Sequence, residues 1–274
     1  MKKVFIEELN ATCAICDSFQ DLKQKDMIGV IRAVYLNPHD WQAKISLLKA
    51  LFSCPPEIWD LLQRPENHSQ TWRLIQTMDW VLKGPEFRPV ASVRLKGRDF
   101  LLPDNDLHQL GTAEFVVATA HLIGFYNAKE HHASHLAKFM ATIARPKPGI
   151  MERLKKEENG DPREAYNSAK CDARARLFDK CDLVTMIVTA QWFNNAANRL
   201  LSLFGMASKD PDAAPIGPGV FVQDWERQVV KVAESHVFGG YDQVMARPLA
   251  DVLAFIELKN DELLRKAQAE KKGR

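Results

Sequence analysis

What this sequence lacks narrows its reading first. No apolar run approaches the roughly 18 residues of a membrane span. The opening MKKVFIEELNA puts Glu7 and Glu8 where a secretory leader needs uninterrupted hydrophobes, so the expectation is a cytoplasmic chain without a membrane partner. A charge of one sign is also missing. With 37 Lys and Arg against 35 Asp and Glu, the net +2 is too weak a field to draw the whole protein to a polyanion. The tail Arg265–Arg274 is locally basic, but such ends mostly serve solubility, and nucleic acid is not expected as a partner. Five cysteines, an odd number set mostly in apolar patterns, exclude a disulfide framework and fit reduced, buried thiols.

Catalytic signatures are equally scarce. There is no G-x-S-x-G elbow, and no Lys-Ser or Lys-Thr pair follows Gly217-Pro218-Gly219 or Gly239-Gly240 as a phosphate loop requires. No repeat of fixed period is visible. The residues therefore assign no catalytic, cofactor or metal role, and a non-enzymatic chain is expected.

What is present is helical periodicity. At 274 residues, 46% hydrophobic and 26% charged, the chain is long enough to bury a sizeable core. Asn37-Pro38-His39-Asp40 combines a cap, a first-position proline and an acid, predicting a helix to about Phe52 with Trp41, Ile45, Leu48 and Phe52 on one face. Pro55-Pro56-Glu57 restarts a short helix, and Asn67 caps another bearing Trp72, Ile75 and Met78. Val93 and Leu95 alternate with polar residues before a Lys96-Gly97 turn, predicting a hairpin over Val90–Leu102. From Thr112 helical stripes return, Phe115, Ala118, Leu122 and Phe125, then Leu136, Phe139, Met140 and Ile143, with Asn127 between them.

Ten basic and seven acidic residues between Arg145 and Lys180 read as a solvated excursion. Asp161-Pro162-Arg163-Glu164 repeats the cap logic and predicts one long helix with Val184, Val188, Trp192 and Leu200 buried against Thr112–Arg145. Lys209–Gly219, rich in Pro, Gly and Asp, reads as a linker. The expectation is a mainly α, multi-helix bundle-like fold with at most one small β-hairpin: a helical core over residues 1–208 with a charged excursion at 145–176, a linker at 209–219, and a C-terminal helical appendage over 220–274.

Two clusters invite chemistry. His131 and His135 project from one helical face at i and i+4 as zinc pairs do, beside Glu130 and His132, with Glu114 or His121 as outside candidates for a third ligand. A metal-dependent enzyme using Glu130–His135 is thus the alternative reading, although solvated histidines are the commoner outcome. Cys13-Ala14-Ile15-Cys16 has zinc or redox spacing but no second pair, and reads as two buried thiols on one helical face. The six tryptophans fall mostly at core-like positions.

The order of WRLIQTMDWVLKGPEF, LGTAEFVVATAHLIGFYNAKEHHASHLAKFMATIARP, a charged insertion, RARLFDKCDLVTMIVTAQWFNNAANRLLSLFG and YDQVMARPLADVLAFIELKNDELLRK resembles tail-associated, tail-assembly-like proteins of phages and prophages. The resemblance covers residues 40–265 and rests on pattern and order. It implies a structural or assembly role through protein–protein contacts in a tail or tail-like particle, with another tail component as partner and a homo-oligomer compatible with that role. It also implies that the closing helix engages a partner through Leu249, Val252, Leu253 and Ile256, although the same stripe could pack on the protein's own core.

Overall fold

A computed structural model describes residues 1–6, 11–22, 24–36, 41–127, 132–149, 161–206 and 218–272. Eleven α-helices and six short strands in two sheets account for the regular structure among them, so the protein is mainly α with minor β. The chain forms two compact units. One holds Met1–Val90 with Asp182–Asn195, the other Ala91–Cys181 with Ala196–Arg274. This division does not follow the 209–219 boundary: residues 209–217 lie outside the described ones, and Pro218 and Gly219 already open a helix.

In the first unit, β1 (Lys2–Ile6), β2 (Ala11–Ile15) and β3 (Phe52–Ser53) form an antiparallel sheet in that order. Cys13 therefore sits on a strand, not a helix. On a strand only alternate residues share a face, and Cys13 and Ile15 are both buried. Around the sheet lie α1 (Gln24–Leu36), α2 (Trp41–Leu51), α3 (Pro56–Leu62) and α4 (His68–Gln76). The expected cap at 37–40 is outside the described residues. Pro56 does open α3, where a missing N–H costs nothing. The core joins Met27, Ile31, Leu48, Phe52 and Ile58 to Val184 and Val188. Gly84, at φ 73°, allows a close approach: a Cβ there would stand 2.7 Å from Gln191 Cβ.

In the second unit, β4 (Ser92–Leu95) and β5 (Arg98–Leu101) form the expected hairpin, turning through Lys96 and Gly97 at φ 48° and 77°, and β6 (Arg145–Pro146) adds a third strand. The helices α5 (Thr112–Asn127), α6 (His132–Ile143) and α7 (Ser168–Phe178) pack in succession. The single long helix expected from Asp161 is instead two. Asn167 caps α7 by accepting from Lys170 N at 3.2 Å, and α7 ends at Phe178. Then Asp182 Oδ2 accepts from Thr185 N at 3.1 Å and starts α8 (Leu183–Leu203). Val184 and Val188, expected against the Thr112–Arg145 helices, belong to the first unit's core. Three helices complete this unit: α9 (Pro218–Glu234), α10 (Tyr241–Ala246) and α11 (Leu249–Lys272). Leu249 N donates to Leu110 O at 2.8 Å and Thr112 N to Arg247 O at 2.9 Å, which ties the start of α11 to the start of α5.

Candidate functional site

The closing helix α11 has two halves of different character. Leu249, Val252 and Leu253 are fully buried in the second unit's own core, and Ile256 is half-buried. This corrects the expected partner face: those side chains spend their apolar area on this protein, because Leu249–Leu253 run past α5 and α9. Beyond Ile256 the same helix keeps large apolar groups in solvent, with Leu258 56%, Leu263 64% and Leu264 60% exposed. Between this part of α11 and α9 runs a groove of about 540 Å³, floored by Met206, Trp225, Val232, Phe255, Ile256 and Leu263. Its charged lining is Lys231 and Lys259, with the amides Gln228 and Asn260 between apolar walls. Lys259 Nζ stands 5.6 Å from the Phe255 ring centroid and pairs with Glu262 at 2.8 Å.

A second cleft, of about 620 Å³, opens over a buried charge cluster, which the solvated reading of residues 145–176 did not foresee. Glu114 lies in the first turn of α5, 1% exposed; its Oε1 accepts from Arg163 Nη1 at 2.8 Å and its Oε2 from Arg145 Nη2 at 2.8 Å. Asp161 accepts from Arg163 N and Nε at 2.9 Å and from Arg145 Nη2 at 3.0 Å. Arg163 Nη1 also donates to Ile143 O at 2.8 Å. Arg174 donates to Glu164, and Arg145 to the Glu164 carbonyl. Asp161 is thereby taken up by guanidinium groups and starts no helix.

The electrostatics follow from burial opposed by pairing. Burial pushes the Glu114 carboxyl above its ordinary range against the pull of Arg163 and Arg145. For Asp161 burial also works upward, but Arg163 and Arg145 win and hold it low. Burial and nearby charges push the Tyr166 phenol well above its ordinary range, and its hydroxyl has no hydrogen-bond partner among the described residues. The cluster clamps the 161–164 segment to α5 and α6, while Arg145 Nε and Arg174 Nε have no hydrogen-bond partner among the described residues. A carboxylate set in the apolar run TAEFVVA was the signal that a cation had to be buried with it.

The histidine cluster is only partly described. Glu130 and His131 lie outside the described residues. His132 is exposed, its Nδ1 2.7 Å from Phe125 O. His135 packs onto Gly124 of α5, where a Cβ would stand 2.5 Å from its Nδ1, and its ring centroid is 6.4 Å from that of His121. Burial, aided by Lys138 and His135, lowers His121 to about 4. Among the described residues no three His, Cys, Asp or Glu side chains gather as metal ligands. Glu114, named as a third ligand, is bound up with arginines. Trp41 and Trp72 depart from their core-like reading: they are 37% and 42% exposed and stack on each other at 6.4 Å, with Lys44 Nζ 4.7 Å from the Trp72 centroid. No described helix is long and apolar enough to cross a membrane.

Comparison with protein-family models, curated proteins and solved structures finds no match to this chain.

Proposed function

We propose that this chain is a non-catalytic assembly protein acting through protein contacts, with the groove between α9 and the outer half of α11 as its docking surface. The observation that supports this is the change along α11, from leucines fully buried at Leu249 and Leu253 to leucines more than half exposed at Leu258, Leu263 and Leu264. Exposed apolar groups beside a groove cost solubility and suit a surface that another protein covers. A groove between two helices accepts a third, and Lys231 and Lys259 at its edge favour an amphipathic helix with acidic flanks. Following the resemblance, the proposed setting is a phage tail or tail-like particle, with another tail component as the partner.

The test is a photo-crosslinking residue at Leu263 of the full chain in the cells that produce it, with Asn105 as the control position. One predominant crosslinked protein at Leu263, absent at Asn105 and lost on Leu258→Glu with Leu264→Glu, is expected. No product, or the same products at both positions, would remove the docking role. Mass spectrometry of the product then separates a tail component from a partner of another kind, which would keep the assembly role and remove the tail.

A further inference from the structure

The sequence pairs Cys13 with Cys16, but the fold pairs Cys13 with Cys54. In the β2–β3 ladder Ile15 faces Phe52 and Ala14 faces Ser53, and Cys16 N donates to Leu51 O at 2.9 Å just beyond. One step further along this register sets Cys13 opposite Cys54. Hydrogen-bonded and non-hydrogen-bonded pairs alternate along an antiparallel ladder. Since Cys16 and Leu51 form a hydrogen-bonded pair, Cys13 and Cys54 form a non-hydrogen-bonded one. Such a pair has Cα atoms about 4.5 Å apart with side chains on one face, and a disulfide needs roughly 4.4–6.8 Å. Cys54 packs against the buried cluster that contains Cys13, Ile15 and Phe52. Cys16 lies just beyond the end of β2, where its N–H meets Leu51 O, so the register sets it opposite Leu51 and not Cys54.

We propose that Cys13 and Cys54 are a latent cross-strand disulfide, closed by thiol–disulfide exchange with a small-molecule disulfide entering at Cys54. Cys54 is half-buried and Cys13 is 1% exposed, so reagent meets Cys54 first. The Cys54 thiol loses its proton to solvent and its thiolate attacks one sulfur of the reagent, forming a mixed disulfide and releasing one reagent thiolate. The Cys13 sulfur, deprotonated in turn, attacks Cys54 Sγ, forms the cross-strand bond and expels the second reagent thiolate. Two protein thiols are oxidised and one small disulfide is reduced to two thiols. Burial pushes the Cys54 thiol up to about 12, with Cys13 adding to the shift, and burial also raises Cys13. Each thiol is the other's electrostatic neighbour, so thiolate supply sets a slow rate that rises with pH.

The full chain is incubated with glutathione disulfide, quenched by alkylation, and read by intact mass, peptide mapping and thermal melting. The wild type and Cys16→Ser should each lose two thiols and join the peptides bearing Cys13 and Cys54. Cys13→Ala should stop at a glutathione adduct on Cys54, and Cys54→Ser should form neither. The wild-type rate should rise about tenfold per pH unit while the thiols remain protonated, and the closed form should melt higher than the reduced one. Should Cys13→Ala not fold, Cys54→Ser, at the less buried position, carries the comparison. Retention of all five thiols by the native wild type while a urea-unfolded sample oxidises, or a bond to Cys16, Cys171 or Cys181, would overturn the proposal.

Discussion

The two units solve burial in opposite ways. The unit holding Met1–Val90 and Asp182–Asn195 has a core of aliphatic, aromatic and thiol side chains, with Thr71 and Thr189 as its buried polar residues among those described. The unit holding Ala91–Cys181 and Ala196–Arg274 also buries Glu114, Arg145, Arg163, Glu164 and Arg174. An apolar core tolerates loss in proportion to the atoms removed. A paired charge cluster is different: swapping all of it for apolar groups is tolerated, but removing one member strands another charge without water. The contrast teaches that the second unit's geometry around residues 161–164 depends on every partner being present.

The largest expected effect tests that contrast directly. Arg163→Ala leaves Glu114 and Asp161 short of a cation and should destabilise the protein by roughly 3–5 kcal/mol in denaturant unfolding. The double replacement Glu114→Leu with Arg163→Met should cost less than Arg163→Ala alone. A single-variant loss no greater than that of Arg227→Ala, in the exposed Arg227–Asp224 pair, would break the comparison.

Trp192→Ala supplies the apolar counterpart. Trp192 is fully buried, and its removal should cost about 3–5 kcal/mol with no rescue from a second substitution. Acid gives a smaller effect. Because His121 is held to about 4 by burial, against 6.5 unfolded, the unfolded chain binds the extra proton between those values. Stability from the neutral ring is therefore present above pH 6.5 and is lost as pH falls toward 4. Discounted for partial exposure, the loss is roughly 1–2 kcal/mol. His121→Gln should flatten the stability–pH curve over that window, and an unchanged slope would remove the assignment. Least of all, Leu263→Glu should shift stability by about 0.5 kcal/mol or less, since its side chain is solvated. A larger loss would show that the outer half of α11 is a structural element and weaken its docking role.

Much of the architecture was legible. The stripe Leu136, Phe139, Met140 and Ile143 is fully buried on α6, Pro56 opens α3, and Lys96-Gly97 turns the β4–β5 hairpin. The β1–β2–β3 sheet was not, because β3 is two residues long and carries no alternation of its own. Its pairing brings together positions about forty residues apart, and so the partner of Cys13 could not be read from the nearer Cys16. The break between α7 and α8 was hidden because apolar spacing runs on through it, while a single carboxylate, Asp182, decides the new start.

Periodicity and turn chemistry are local, so the sequence by itself determined the mainly helical class, most helix positions and the stripes that turn inward. Which charges go inside is not a local property. Arg163 reads as solvated among its neighbours and becomes buried only when Glu114, 49 residues earlier, Asp161 and the Ile143 carbonyl meet it. The same holds for the closing helix, where one continuous apolar stripe is divided between core and solvent by how far its packing neighbours extend. Long-range pairing and the reach of neighbouring elements were decided by the tertiary structure, because desolvating a charge or a leucine depends on what stands opposite it in space.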